Sequence, residues 1–349
     1  MTDYEKICDF QNLYKAHVIS RRGKRHKAEV IEFELNLSSS LTRLKEQLDK
    51  RTYKMRGYYD FIIREPKERR IYASHYSDRV VQHCLCDEVL KPVIQKRLIH
   101  DNAACQPGKG THFALNRLSG FIREHYKKNG ANGYFLKCDI SKYFASIDHA
   151  VLKENLVRIV KDEEVRNLLF LIIDSFASDG TPEKGLPLGN QTSQWFAIYY
   201  LDPVDRMIKE RLRIKHYVRY MDDLILVHPD KAYLKKCLDQ IRELAEGELK
   251  LKLNEKTQIF PLKNGVQFLG FHFYLSDSGK VIRKLKVQSK IRYKRRLVKL
   301  QKDYADGLID LDKVKNVLAS YKGHLMHGHT YKLKEKVMRD FVLKREYRQ

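Results

Sequence analysis

The stretch Tyr217-Val218-Arg219-Tyr220-Met221-Asp222-Asp223-Leu224-Ile225-Leu226-Val227 sets two adjacent carboxylates between two apolar runs rich in aromatic and β-branched residues. The polar interruption is short, so the spacing predicts an antiparallel hairpin with acids at its tip. Adjacent carboxylates on an apolar hairpin repel each other unless cations neutralise them. An isolated Met-Asp-Asp would ordinarily be a solvated turn, but here two strands flank it and a third acid stands far upstream. Tyr134-Phe135-Leu136-Lys137-Cys138-Asp139-Ile140 is a short apolar run ending in Asp139, the pattern of a buried strand with a carboxylate at its exit. Folding stability alone would not favour three strand-end acids. Two divalent ions about 3.5–4 Å apart, clamping the attacking and leaving oxygens of an in-line displacement, would explain them. Mg²⁺ suits such a set, because it takes a few carboxylates and completes its shell with substrate phosphates.

Outward from this hairpin the chain alternates between helical and strand patterns. Residues 37–50 predict a helix with Leu41, Leu44 and Leu48 on one face. Residues 58–63 alternate, break at Pro66 and resume at Arg70, Ile71 and Tyr72, which predicts two hairpin strands joined by a mostly charged loop at 65–69. A helix is expected from Ser77, carrying Val81, Cys84, Leu85 and Val89 inward and stopping near Pro92. The Gly/Pro-rich turn at 106–110 lacks the G-x-x-x-x-G-K-[ST] spacing of a phosphate-binding loop. A second interruption at 180–190 leads into an apolar helix at 195–201. A helix at 231–248 and strands around 258–260 and 267–274 complete an alternating α+β middle. Between Ile282 and Gln301 there are nine Lys or Arg and no acid, followed by Leu311, Val314, Leu318 and Tyr321 at helical spacing, so a separate basic helical lobe is expected.

Over 349 residues, 68 Lys and Arg stand against 44 Asp and Glu, a formal charge of +24 that points to a polyanionic partner. Residues 1–30 are basic and interrupted, with Arg21, Arg22, Lys24, Arg25 and Lys27 crowded around Gly23; an arm or loop that meets phosphate is expected there. The six cysteines show neither C-x-x-C pairs nor a secreted framework, which argues for reduced thiols. Cys84 and Cys86 would fall on different faces of their helix. With no run of 18 apolar residues and no continuous apolar signal core, a cytoplasmic protein without a membrane partner is expected.

Tyr220-Met221-Asp222-Asp223 resembles the Y-x-D-D box of reverse transcriptases. Further motifs follow the family's order over residues 58–275, at 70–83, 106–114, 138–149, 185–194, 253–257 and 268–271. The resemblance implies an α+β right-hand polymerase: a basic N-terminal arm and helix (1–57), fingers (58–133), a palm with a central antiparallel sheet and fingers-like insertions (134–280), and a small, basic helical thumb (281–349). It implies an RNA-directed DNA polymerase in which Asp139, Asp222, Asp223 and the Ile140 backbone carbonyl hold two Mg²⁺ ions, with Mn²⁺ as a substitute, against a primer 3′-hydroxyl and the leaving pyrophosphate. Phe144, five residues past Asp139, resembles the aromatic gate that excludes a ribose 2′-hydroxyl and so implies dNTP use; core packing beside Tyr143 and Ile147 is the plain alternative. Arg70, with Lys67 and Arg69, stands where the family grips the triphosphate, and charge-assisted bonds to phosphate suit Arg. A solvated hairpin tip is the alternative for Lys67 and Arg69. Tyr220, Leu188, Gly189 and Gln194 fall in the implied dNTP and template pocket. Lys256, in Leu253-Asn254-Glu255-Lys256-Thr257, resembles the palm lysine that protonates pyrophosphate, an exposed loop lysine being the alternative. Gly270 in Phe268-Leu269-Gly270-Phe271 resembles a primer-grip turn, where a missing side chain lets backbone approach the primer. The 108–110 turn is assigned to template contact.

One motif departs from the common pattern. Where most reverse transcriptases carry Gln-Gly-x-x-x-Ser-Pro, this chain reads Leu188-Gly189-Asn190-Gln191-Thr192-Ser193-Gln194. That form resembles the reverse transcriptases of diversity-generating retroelements, in the bacterial and phage group II intron-like superfamily. An aliphatic residue at 188 has no amide to offer near the incoming nucleotide, so low fidelity is expected, chiefly opposite template adenine. The resemblance implies mutagenic retrohoming, in which a template-repeat RNA is copied into adenine-mutagenised cDNA. It also implies a primer-template duplex and a small basic accessory variability protein as partners. A retron or abortive-infection polymerase acting in defence is an alternative, although the retron-type Val-Thr-Gly thumb signature is not visible. A non-catalytic RNA-binding protein on a palm fold is another. The histidine-rich run at 323–329 is expected to end a thumb helix against the duplex, and the 292–296 run to meet phosphate or form a solvated face.

Overall fold

The computed structural model describes residues 1–64, 68–178, 181 and 183–345. Part of the charged loop expected at 65–69, including Lys67, lies outside the described residues. The chain forms two compact units, one of Met1–Pro107, Cys138–Arg213 and Cys237–Thr257, the other of Gly108–Lys137, Ile214–Lys236 and the chain from Gln258 onward.

The first unit is mostly helical. Its first twenty residues, expected as an arm or loop, form helices Asp3–Cys8 and Phe10–Ser20, and the basic run is the turn leading to helix Ala28–Leu35. Caps explain this: Thr2 and Glu5 form a reciprocal capping box, and Asp9 accepts from the Asn12 amide. Tyr4, Ile7 and Leu13 are buried, and the Tyr4 hydroxyl donates to the Leu48 carbonyl at 2.8 Å, which ties these helices to helix Leu37–Asp49 with its buried Leu41, Leu44 and Leu48. Strands β1 (Tyr58–Ile63) and β2 (Arg69–Ser74) form the expected antiparallel hairpin. The helix expected to stop at Pro92 instead runs Tyr76–Leu85, widens through a π-helical turn at Cys86–Leu90 and continues as Lys91–Gln95. Pro92 follows directly on the π-helical turn, where the i→i−4 ladder is already interrupted and its missing N–H is accommodated.

The second unit carries most of the four-stranded and the three-stranded sheet. Strands β3 (Tyr134–Cys138), β4 (Tyr217–Tyr220), β5 (Asp223–His228) and β6 (Gln258–Pro261) lie in the order β4-β5-β3-β6, with β4 antiparallel to β5 and β3 to β6. Helix Thr111–Asn129 packs on β4 and β5 through its buried face, which includes Leu115, Leu118, Phe121 and Ile122. The stretch expected as one strand at 267–274 divides into β7 (Val266–Phe268) and β8 (Phe271–Leu275), because Leu269 (φ 44) and Gly270 (φ 89) turn the chain between them. Strand β9 (Val281–Leu285) completes this three-stranded meander and precedes helices Val287–Ala305, Leu311–Leu325 and Tyr331–Arg339. Phe135, Tyr217, Phe268, Phe271 and Phe273 are buried, and each such side chain contributes about 1.5–3 kcal/mol by leaving water. Among the described residues no helix is long and apolar enough to cross a membrane.

Candidate active site

Tyr220 pairs with Asp223 across β4 and β5, so Met221 and Asp222 alone make the hairpin turn. Met221 takes a left-handed backbone (φ 55), a conformation that costs a side-chain-bearing residue about 1–3 kcal/mol and holds only where surroundings enforce it. Arg219 does some of that enforcing. Its side chain is fully buried and its Nη1 donates to the Met221 carbonyl at 3.0 Å. The turn therefore presents Asp222 and Asp223 next to each other at a sheet end whose strands are covered.

Asp223 begins β5, and β3 is the next strand over, which brings Lys137 beside it. The Lys137 ammonium lies 3.1 Å from Asp223 Oδ1 and 3.3 Å from Oδ2, and also donates to the Gln267 carbonyl at 2.8 Å. Sequence reasoning assigned Lys137 no role. Its place two residues before Asp139 was the available signal, since i and i+2 on a strand share a face.

The first unit carries Asp139 and the residues named around it. The Asp139 carbonyl accepts from the Asn254 amide at 2.8 Å, and its own amide donates to Thr257 Oγ1 at 3.3 Å. Ile140 forms an antiparallel bridge with Leu253, and the Ser141 amide donates to the Lys252 carbonyl at 2.9 Å. The motif at 253–257 thus fixes the backbone that bears Asp139. Asp139 is half-buried, and among the described residues no cation pairs with its carboxylate. Lys256, within that clamp, has an exposed side chain.

Tyr143 and Ile147 are buried while Phe144 is half-buried, so the core position beside Asp139 belongs to its neighbours. The Phe144 carbonyl accepts from the Leu186 amide at 2.8 Å. Leu188 is half-buried, and its carbonyl accepts from the Tyr72 amide at 3.0 Å, which lays the 188–189 backbone along β2. Gly189 has φ 121, and a Cβ there would stand 3.0 Å from Ile71 Cγ2, so both conformation and space call for glycine. Gln194 and Arg69 are exposed. Arg70 is exposed too; its Nε donates to Asp60 Oδ2 at 2.6 Å and its guanidinium lies over the Tyr72 ring.

The named residues thus fall in two groups. Tyr220, Asp222 and Asp223 belong to the second unit; Asp139, Ile140, Phe144, Leu188, Gly189, Gln194, Arg69, Arg70 and Lys256 belong to the first. Among the described residues no group of three or more His, Cys, Asp or Glu is gathered to hold a metal ion. The donors nevertheless fit a hard cation. Asp222 and Asp223 offer carboxylate oxygens from one turn, and the Lys137 ammonium already stands as a positive charge on Asp223.

An antiparallel sheet with paired carboxylates on a buried hairpin, in an α+β chain of strong positive charge, defines the right-hand polymerase class. Within that class the chain belongs to the family described as reverse transcriptase (RNA-dependent DNA polymerase), which matches residues 64–273. Protein YkfC of Escherichia coli (strain K12) is 25% identical over 230 residues, covering 55% of this chain and 60% of its own length. The chain therefore spans less than two thirds of that relative's length. Two solved structures of apo telomerase from Candida tropicalis are similar. One covers 67% of this chain and 49% of its own at 15% identity and TM-score 0.50. The other, truncated from the C-terminal domain, covers 65% and 55% at 18% identity and TM-score 0.49.

Proposed function

We propose that this chain is an RNA-directed DNA polymerase that extends a primer along an RNA template with dNTPs. The observation that carries this reading is the Asp222-Asp223 turn, held on a buried hairpin by Arg219 inside the stretch that the family matches. Asp139, the Ile140 carbonyl, Asp222 and Asp223 would hold two Mg²⁺ ions, with Mn²⁺ able to replace them. The metals supply charge stabilisation for the attacking and leaving oxygens. The chain's own residues position the rest. The 253–257 segment fixes Asp139, Phe144 gates the sugar, Arg70 with Arg69 and Lys67 receives the triphosphate, and Lys256 is the proton donor to pyrophosphate. Lobes at 58–133, 134–280 and 281–349 would serve as fingers, palm and thumb, with 1–57 as an N-terminal extension.

The finer reading is mutagenic copying of a template-repeat RNA, as in a diversity-generating retroelement, with a small basic accessory protein as partner. Its support is Leu188. The backbone there is held on β2 by the Tyr72 amide, and the side chain is aliphatic where the common motif has an amide, so a mispaired base meets no hydrogen-bonding check. The test is sequencing of cDNA made on an adenine-containing RNA by wild type, Leu188→Gln and, as blank, Asp222→Ala. Adenine-specific errors that fall severalfold in Leu188→Gln support the reading. Accurate wild-type cDNA would transfer the assignment to a defence polymerase, and cDNA that does not depend on Asp222 would overturn the polymerase reading itself.

A further inference from the structure

Lys137 joins two parts of the second unit, the Asp222–Asp223 turn and β7. Its ammonium is bound on one side by both oxygens of Asp223 and on the other by the Gln267 carbonyl, at 3.1, 3.3 and 2.8 Å. Gln267 is the middle residue of β7, and Leu269 and Gly270 follow it with left-handed backbones (φ 44 and 89). Lys137 and Asp223 side chains are 23% and 24% exposed, so water screens this pair less than it would a surface ion pair. A lysine suits a transferable role. It is a point charge on a flexible stem, and it can leave one acceptor without breaking a planar two-point fork.

We propose that Lys137 is a positioning residue that links divalent-ion occupancy at Asp223 to the order of the β7–β8 turn. Without the ion, Lys137 is a resident counter-charge on Asp223, beside Asp222. An arriving divalent cation repels the ammonium and takes Asp223. Lys137 withdraws toward Gln267, and the Gln267–Gly270 backbone tightens. By reciprocity, whatever presses on that backbone changes ion affinity at Asp223. This rests on the reading of Asp222 and Asp223 as ion-binding carboxylates.

The experiment uses the full chain without nucleic acid. Mn²⁺ binding is followed by electron paramagnetic resonance, and backbone hydrogen exchange at 267–271 is measured with and without Mg²⁺. Wild type should bind Mn²⁺ and show added protection at 267–271 with Mg²⁺. Lys137→Met should bind Mn²⁺ about five- to tenfold more tightly, a coupling at the low end for linked sites, and lose the Mg²⁺ response of the turn. Lys137→Arg, which keeps the charge, should retain that response in part and guards against loss of fold. Lys137→Met with wild-type affinity and a wild-type exchange response would overturn the inference alone. Mn²⁺ binding that persists unchanged in Asp223→Ala would overturn the underlying reading, and the inference with it.

Discussion

Two antiparallel hairpins of this chain, β1–β2 and β4–β5, draw on the same residue types and end with opposite surfaces. In β1, Tyr59, Phe61, Ile62 and Ile63 are exposed, whereas Tyr217, Val218, Leu224, Ile225, Leu226 and Val227 of β4–β5 are all buried. Covering makes the difference. β5 has β3 as a second neighbour and helix Thr111–Asn129 packs on β4 and β5, while β1 and β2 form a two-stranded sheet, a unit that is marginal on its own. The second hairpin is a platform that can hold repelling charges in one place. The first, anchored where Tyr58 and Tyr72 pack edge-on to Phe176, keeps Arg69, Arg70 and an apolar face available to something that arrives. One hairpin is covered and fixes charge; the other keeps its strand surface open to solvent.

The largest effect should come from the platform's acids. Asp222→Ala or Asp223→Ala should lower dNTP incorporation at least about 10³-fold, equivalent to about 4 kcal/mol in the barrier, with the circular dichroism spectrum unchanged. Retained activity would break the comparison. Next come matched truncations, one on each hairpin. Ile225→Ala, at a buried site, should cost about 2–5 kcal/mol in denaturant unfolding, and Ile62→Ala, more than half exposed, about 0.5 kcal/mol or less. Equal costs would mean that β1 is not the free surface it looks. A smaller, kinetic effect is expected at Arg70. Its pair with Asp60 is exposed and contributes little to stability, so Arg70→Ala should leave unfolding unmoved and raise KM for dNTP about tenfold. A fall in kcat with unchanged KM would remove Arg70 from substrate binding.

Legibility followed how local each feature is. The β4–β5 hairpin, the helix at 37–49 and the β1–β2 pair were readable because each is a contiguous local stretch whose own period shows. The first two helices, with one lysine each, were masked by the basic run at 21–27 that follows them, although Thr2 and Asp9 stood at capping positions. A turn at Gly270 was named, but that it divides the strand was missed because Leu269 is a leucine in a left-handed conformation that residue type does not announce; β9 was obscured by Arg283 and Lys284, which look like the start of the basic tail. The partnership of Lys137 with Asp223 depends on β3 lying beside β5, and the clamp on Asp139 reaches from 139 to 257. Strand order and long-range clamps are settled by packing, beyond what a local pattern carries.

A pH-dependent effect concerns the unit that bears the exposed hairpin. His83 lies in the helix that follows β2, with its Nδ1 buried and without a hydrogen bond. Burial, then the charges of Lys24 and Arg79, push its pKa down to about 4. Because the folded value is below the unfolded one, about 6.5, folding favours the neutral ring. The resulting stability is complete above about pH 6.5 and is lost as pH falls toward 4. Thermal unfolding between pH 7 and 4.5 should therefore show stability falling with acid in wild type, and a shallower fall in His83→Leu, by up to about one proton taken up on unfolding. An unchanged slope would mean that the ring can be protonated in place without cost to the fold.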